Sequence, residues 1–373
     1  MNERKWRLRL IVPLAGLVGA LGLAACGGSD DTTSGGTSAS GGSGTIGFLL
    51  PETETARYET QDKPLFESAV AKLCPDCDVL YQNADQDPTK QQSQVEAMVT
   101  QGVDVIVLDP VDSTSAAGMV QRATQESIPV ISYDRLILNA DLAAYAEFNS
   151  PEVGKQQGDA LSKKLAEDGN PQGPIVQING DPKDNNAKLF KEGATSVFQA
   201  KGVQVAKEYD TPDWLPENAQ NEMQQAITAL GNDGFKGVLA ANDGTAGGVI
   251  AALKGAGIDP TTVPVTGQDA ELTGIQRVVA GEQYMTVYKP IKPLADNAAA
   301  LAVAVVNGED PAQADVINGS ENNETEDVPA AITDTIPVFT DNVKDTVVKD
   351  GYWTPQQICT QQYAQACKDA GIQ

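Results

Sequence analysis

From Thr45 onward, short apolar runs rich in Val and Ile alternate with longer stretches whose apolar residues recur at helical spacing. The apolar runs are 46–51, 79–84, 105–110, 129–134, 144–149, 175–180, 203–209, 237–243, 263–269 and 284–290. The helical patterns between them include 88–101, 113–126, 151–168, 185–200, 216–230 and 244–255. Strictly alternating strand and helix predicts an α/β fold of parallel sheets with helices on both faces. About ten strands over some 330 residues suit two such sheets better than one.

The ends of these runs carry the polar chemistry. Asp109, Asp134, Asp243 and Asp269 stand at or next to strand carboxyl ends, as do Asn149 and Asn242. Ligands of open α/β sheets bind in the crevice outside those ends. Helix capping by Asp and Asn explains some of them equally well. It does not explain Arg135 beside Asp134, or Lys289 after Tyr288. A crevice of carboxylate, amide and guanidinium groups suits a polyhydroxylated ligand, whose hydroxyls both donate and accept.

Composition narrows the chemistry. The chain has 373 residues, 26 Lys+Arg against 51 Asp+Glu, and no histidine. The acid excess excludes nucleic acid and a basic lipid-docking patch. The missing histidine removes His-dependent nucleophiles, general bases and metal ligands. No catalytic group, metal site or cofactor is expected. Asp85 and Asp87 lack the later ligands of a calcium loop.

The amino terminus reads as an export signal over residues 1–25, with Arg4, Lys5, Arg7 and Arg9 ahead of an apolar run. It ends Leu23-Ala24-Ala25-Cys26, which looks like a lipobox, so Cys26 is the expected lipidation site. Residues 26–44 are Gly, Ser, Thr and Asp-rich and read as a flexible tether. The match Gly42-x-Gly44-x-x-Gly47 opens a strand rather than following one, so it is no dinucleotide fingerprint. Cys74, Cys77, Cys359 and Cys367 form an even set in an exported chain. Two local disulfides, 74–77 and 359–367, are the simplest pairing. The Cys-Pro-Asp-Cys spacing does not open a helix as a redox motif would.

Six blocks then resemble a known family. They are Ile131-Ser-Tyr133-Asp134-Arg135, Asp184-Asn185-Asn186-Ala187-Lys188-Leu189-Phe190, Trp214-Leu215-Pro216-Glu217-Asn218-Ala219, Asn242-Asp243-Gly244-Thr245-Ala246-Gly247-Gly248, Gly267-Gln268-Asp269-Ala270 and Met285-Thr-Val-Tyr288-Lys289-Pro290. Together, in this order, they resemble D-xylose-binding proteins, the solute-binding components of sugar ABC importers in the periplasmic-binding-protein type I group. The resemblance spans about residues 45–352. It implies two Rossmann-like lobes joined by a three-strand hinge, with a sugar between them. On this reading residues 45–149 plus 290–335 form the amino-terminal lobe, and 150–289 plus 336–373 the carboxy-terminal lobe.

The resemblance implies ligand contacts from Arg57, Tyr58, Asp134, Arg135, Asp184, Asn186, Trp214, Asn242, Asp269 and Lys289. Tyr58 stands where the family often has Trp, and the loop 51–56 reads more like relatives that bind glucose or galactose. Each residue keeps a plain alternative: core packing for Trp214, surface ion pairs for the arginines, capping for Asp184, hinge geometry for Lys289. Trp214, next to Asp213 and a helix start, is expected at the surface of the open form, as a platform for a sugar ring.

The expected function is an extracytoplasmic lipoprotein that closes two lobes on a monosaccharide and presents it to an ABC permease with its ATPase. Xylose ranks first, ahead of glucose, galactose and arabinose. A monomer anchored on the outer face of the cytoplasmic membrane is expected, with no nucleic-acid partner. The rival readings are a sensor-coupled receptor and a carboxylate-dependent sugar-processing enzyme.

Overall fold

A computed structural model describes residues 43–372. The export signal, Cys26 and nearly all of the tether lie outside the described residues. Among those described, no helix is long and apolar enough to cross a membrane.

The larger sheet has seven strands in the order β10-β11-β5-β4-β3-β1-β2. Its central strands are β1 (Thr45–Leu50), β3 (Val105–Leu108), β4 (Val130–Tyr133) and β5 (Ala144–Phe148). All four pair in parallel and are buried almost end to end, as strands covered on both faces must be. β2 (Asp78–Asn83) closes one edge. On one face Phe66, Ala69 and Val70 of α1 (Lys63–Leu73) share a core with the Ala-rich α9 (Ile291–Val306). On the other, α2 (Pro88–Gln101) and α3 (Ala117–Gln125) bury Val95, Met98, Met119 and Val120.

The other edge adds two strands beyond the apolar runs of the sequence. β10 (Gly319–Asn322) and β11 (Asp327–Thr333) form an antiparallel hairpin, and β11 joins β5 in parallel. β10 reads Gly-Ser-Glu-Asn, without an apolar signal, because it is an edge strand with alternate residues exposed.

The second sheet is parallel, in the order β7 (Val205–Asp210), β6 (Ile175–Asn179), β8 (Gly237–Ala240). Helices α4 (Ser150–Glu167) and α5 (Asn185–Lys201) cover one face through Leu161, Leu165, Ala194 and Phe198. Gly154 lets them touch, since a Cβ there would collide with the Phe190 carbonyl. The opposite face is covered by α6 (Pro216–Leu230) and α7 (Asp243–Gly255). The expected strand 263–269 is extended but does not form a ladder. It contributes single bridges, Val265 to Val238 of β8 and Gln268 to Val287. Beyond it, α8 (Leu272–Val279) leads to β9 (Thr286–Tyr288), which pairs antiparallel with β12 (Ile336–Val338).

The chain passes between the two sheets three times: from β5 into α4, from β9 into α9, and from β11 into β12. The segment after β12 ends in α10 (Pro355–Ile358) and α11 (Ala364–Asp369). Tyr352, Ile358, Cys367 and Ile372 are buried in a cluster that includes Ile275 and Val278 of α8. Cys74 is paired with Cys77 and Cys359 with Cys367, at Cα separations of 5.3 and 5.7 Å.

Candidate functional site

A narrow pocket, with about 290 Å³ of empty space counting its opening to solvent, lies where strands of both sheets end. The ten residues expected from sequence all line it. Thr55, Phe190 and Gln268 line it as well.

Four of the expected residues come from the larger sheet and its loops. Arg57 is gripped by Asp62 through two hydrogen bonds, Nε to Oδ2 at 3.0 Å and a terminal nitrogen to Oδ1 at 2.8 Å. Tyr133 donates to the same Asp62 Oδ1 at 2.6 Å. Asp62 therefore fixes the guanidinium from behind. Arg57 lies 4.9 Å from the Tyr58 ring centroid and 5.6 Å from that of Phe148. Arg135 is likewise backed by carboxylates, Asp109 at 3.7 Å and Glu52 at 3.9 Å. Both carboxylates are fully buried, and burial raises them above the usual carboxylate range, with Arg135 pulling the other way.

Asp134 is the hub. Its backbone is left-handed, at φ 54°. Its carbonyl accepts from Tyr145 at 2.6 Å and from Asn186 Nδ2 at 2.8 Å, and its Oδ2 accepts from Tyr58 at 3.1 Å. Burial alone raises its carboxyl, but Arg57, Lys289 and Arg135 outweigh it and hold the group down at about 2.

The other six expected residues come from the second sheet and its continuation. Asp184 caps α5, accepting from Asn186 N at 2.8 Å through Oδ1. Its Oδ2 accepts from Trp214 Nε1 at 3.2 Å and faces Arg135 Nε at 3.1 Å. Capping and facing the pocket thus coexist in one side chain. Asn242 caps α7 in a reciprocal box with Thr245.

Trp214 follows Asp213, both at φ 57°. A Cβ on Gly180 would overlap its ring, so glycine there makes the seat for the indole. Trp214 is 5% exposed and packs with Val153, Phe190 and Met285, while one part still lines the pocket. Asp269, at φ 89°, meets Lys289 Nζ at 2.9 Å and Arg57 at 3.6 Å. Left-handed non-glycine residues cost about 1–3 kcal/mol each and persist where surroundings over-determine them. Asp134, Trp214 and Asp269 all carry that cost in the pocket wall.

Asp109 and Asp243 end strands too, yet they do not line the pocket. Asp109 sits behind Arg135. Asp243 is internal, accepting from Glu271 N at 2.9 Å and Gln283 Nε2 at 2.6 Å. Burial pushes its carboxyl up to about 7, against Arg277 and the Gln283 bond. Asn149 caps α4 instead. Of the residues missed, Gln268 stood within a quoted block and Thr55 within the loop at 51–56. Phe190 also falls within one of the blocks that resemble the family, without a role assigned to it. Its ring is shared between the core and the pocket.

Two wall atoms, Oδ1 of Asn186 and Oε1 of Gln268, have no hydrogen-bond partner, while Oδ1 of Asp134, Oδ1 of Asp269 and Nε of Arg135 are met only by ion-pair contacts. Buried polar atoms left unpartnered are costly unless a ligand completes them. Acceptors and cations line the pocket together with the rings of Tyr58, Phe190 and Trp214, a combination that orients hydroxyls and covers C–H groups. Among the described residues, no group of three or more His, Cys, Asp or Glu is placed to hold a metal.

Two lobes' worth of parallel sheet, three crossovers and a polar pocket at the strand ends define a periplasmic-binding-protein type I fold. The chain belongs to the family described as periplasmic binding protein domain, which matches residues 46–310. It is 40% identical over 311 residues to the D-xylose-binding periplasmic protein of Escherichia coli, covering 82% of this chain and 90% of that one. It is 31% identical over 331 residues to the multiple sugar-binding periplasmic receptor ChvE of Rhizobium radiobacter, covering 84% and 92%. Among solved structures, a carbohydrate transporter solute-binding protein from Chloroflexus aurantiacus, in complex with D-glucose, superimposes with a TM-score of 0.75 at 30% identity. That match covers 84% of this chain and 98% of the other.

Proposed function

We propose that this protein is a non-enzymatic, exported receptor that captures one monosaccharide between two lobes and delivers it to an ABC permease. The lobes are residues 45–149 with 290–335, and 150–289 with 336–373. One observation carries the reading. Unpartnered amide oxygens of Asn186 and Gln268 converge with the charged side chains of Arg57, Asp134, Arg135, Asp269 and Lys289 on a pocket also lined by Trp214. Asp134, Asp184, Asn186, Asn242 and Asp269 take the hydroxyl hydrogens or share them. Arg57, Arg135 and Lys289 donate, and Trp214 and Tyr58 cover the ring faces.

D-xylose is the first choice, supported by the identity to the D-xylose-binding protein. D-glucose is the second, favoured by the loop at 51–56 and by the glucose-bound structural relative. Residues 1–25 direct export, and Cys26 carries the lipid anchor. The 74–77 and 359–367 pairs are oxidised in the exported protein. Calorimetry with D-xylose, D-glucose, D-galactose and L-arabinose tests the receptor reading, together with recovery of unaltered sugar after prolonged incubation. Failure of all four sugars to bind refutes it, and chemical conversion of a bound sugar refutes the non-enzymatic part.

A further inference from the structure

Asp269 and Ala270 form two consecutive left-handed residues, at φ 89° and 50°, neither of them glycine. Such a turn does not hold itself. Its inner side is tied to β9, where Asp269 N donates to the Val287 carbonyl at 2.8 Å. Its outer side is tied to the chain beyond the family match, which ends at residue 310. There Trp353 Nε1 donates to the Ala270 carbonyl at 2.7 Å, and Tyr352 lies 3.4 Å from the Asp269 carbonyl. The indole bond is the stronger by length.

The tail that supplies these donors is itself anchored. Thr340 donates to the Val278 carbonyl at 2.7 Å, and Gln276 of α8 donates to the Gln357 carbonyl at 3.1 Å. Cys359 and Cys367 are paired just beyond. The rings of Tyr352 and Trp353 pack edge to face at 5.2 Å, and Tyr352 packs on Tyr288 at 5.0 Å. Tyr288 precedes Lys289, whose ammonium meets the Asp269 carboxylate. One aromatic cluster therefore backs both members of that ion pair, outside the pocket.

We propose that the carboxy-terminal tail is a brace for the ligand site, with Trp353 and Tyr352 as positioning residues that hold Asp269 toward the ligand. The proposal rests on Asp269 being a ligand contact. The tail's donors point at the carbonyls of the strained turn, leaving its carboxylate as the group that faces the pocket. Without them the turn relaxes toward ordinary backbone, and the carboxylate swings off Lys289 and Arg57.

The test is a double-mutant cycle on affinity, read by calorimetry on the full mature chain with D-xylose and D-glucose as probes. Trp353→Phe keeps an aromatic ring on Tyr352 but removes the N–H together with the five-membered part of the indole. It is expected to weaken binding about fivefold, the worth of one net hydrogen bond. In an Asp269→Asn background the same change is expected to add nothing, because residues acting through one group are non-additive. A purely structural tail would lower the melting temperature without this coupling. Should Trp353→Phe not fold, Tyr352→Phe enters the same cycle, with a loss of about twofold expected through its longer contact. Unchanged affinity, or losses that simply add in the double variant, overturn the brace. If the wild type binds but Asp269→Asn costs nothing, the contact role of Asp269 fails and the brace with it. If the wild type binds neither sugar, and no other monosaccharide either, the receptor reading itself has failed.

Discussion

The two faces of the pocket are kept in order by different physics. On the face built by the larger sheet, charge holds charge. Asp62 grips Arg57, Asp109 and Glu52 stand behind Arg135, and Asp134 sits among three cations. On the face built by the second sheet, backbone and packing do most of the holding. Asp184 and Asn242 are fixed by the helices they cap, and Trp214 by Gly180 and a left-handed turn. The first face should therefore be sensitive to charge and tolerant of small volume changes. The second should be sensitive to volume and caps.

The sharpest way to break this contrast is Asp134→Asn. Asparagine accepts the left-handed backbone, so the change isolates charge. It leaves Arg57 and Lys289 buried with less compensation, and breaking a buried ion pair by one partner costs about 3–5 kcal/mol. Sugar affinity is expected to fall by at least about a hundredfold, together with a lower melting temperature in the ligand-free protein. Calorimetry and thermal unfolding check both. A variant that binds normally would mean the ion network is ornamental.

Trp214→Ala is the matching test on the opposite face. The indole is nearly buried and packs on Val153 and Met285. Its removal is expected to cost about 3 kcal/mol of stability as a cavity, as large-to-small core changes do. Binding should weaken about tenfold through lost ring contact and burial. A loss of affinity without a loss of stability would return the side chain to the exposed platform that sequence reasoning expects.

Asn242→Ala is expected to do less. It removes an N-cap, worth about 1 kcal/mol, and one amide from the pocket. Denaturant unfolding reads the first and calorimetry the second. Asn242→Asp should restore the cap but not the donor, separating the two roles.

These unequal effects also explain what was legible in the sequence. Strands buried on both faces announce themselves as largely apolar runs, so β1, β3, β4, β5, β6 and β8 are readable within a residue or three. β10 and β11 are not, since an edge hairpin needs only alternate burial and β10 is wholly polar apart from its glycine. The site residues are legible because they stand at strand ends in blocks of recognisable order. Their supports are not. Asp62 is an acid five residues along from Arg57, at the end of a π-helical turn, and nothing local marks it as the partner of Tyr133 across 71 positions. Trp353 is equally silent, as its acceptor lies 83 positions away. Capping was readable as a type but not as an address. The same rule put Asp109 and Asp243 beside Asp134 and Asp269, though only the latter two line the pocket.

That last distinction is read by pH. Asp134 and Asp243 both follow strands and are both buried, yet they titrate apart. Asp134 is pushed up by burial and pulled further down by Arg57, Lys289 and Arg135, to about 2. Asp243 is pushed up by burial and by Asp269, with Arg277, Gln283 and Thr286 opposing, and reaches about 7. A carboxyl whose folded value lies below its ordinary one contributes stability above that ordinary value and loses it as pH falls toward the folded value. For Asp134 the loss falls between about pH 4 and pH 2. A carboxyl whose folded value lies above its ordinary one does the reverse. Asp243 contributes most below about pH 4, and that contribution is lost as pH rises toward 7. Between about pH 5 and pH 8, then, Asp134 is silent and Asp243 works against the fold. Glu222, also raised to about 7 by burial, adds a slope of the same sign. The melting temperature of ligand-free protein is expected to fall over that interval. Asp243→Asn should flatten the fall without abolishing it, because an amide does not titrate. Asp134→Asn should lie lower throughout but keep the wild-type slope. An Asp243→Asn curve parallel to wild type would mean that Asp243 is ionised across the whole interval, and the two aspartates would then differ in position but not in charge.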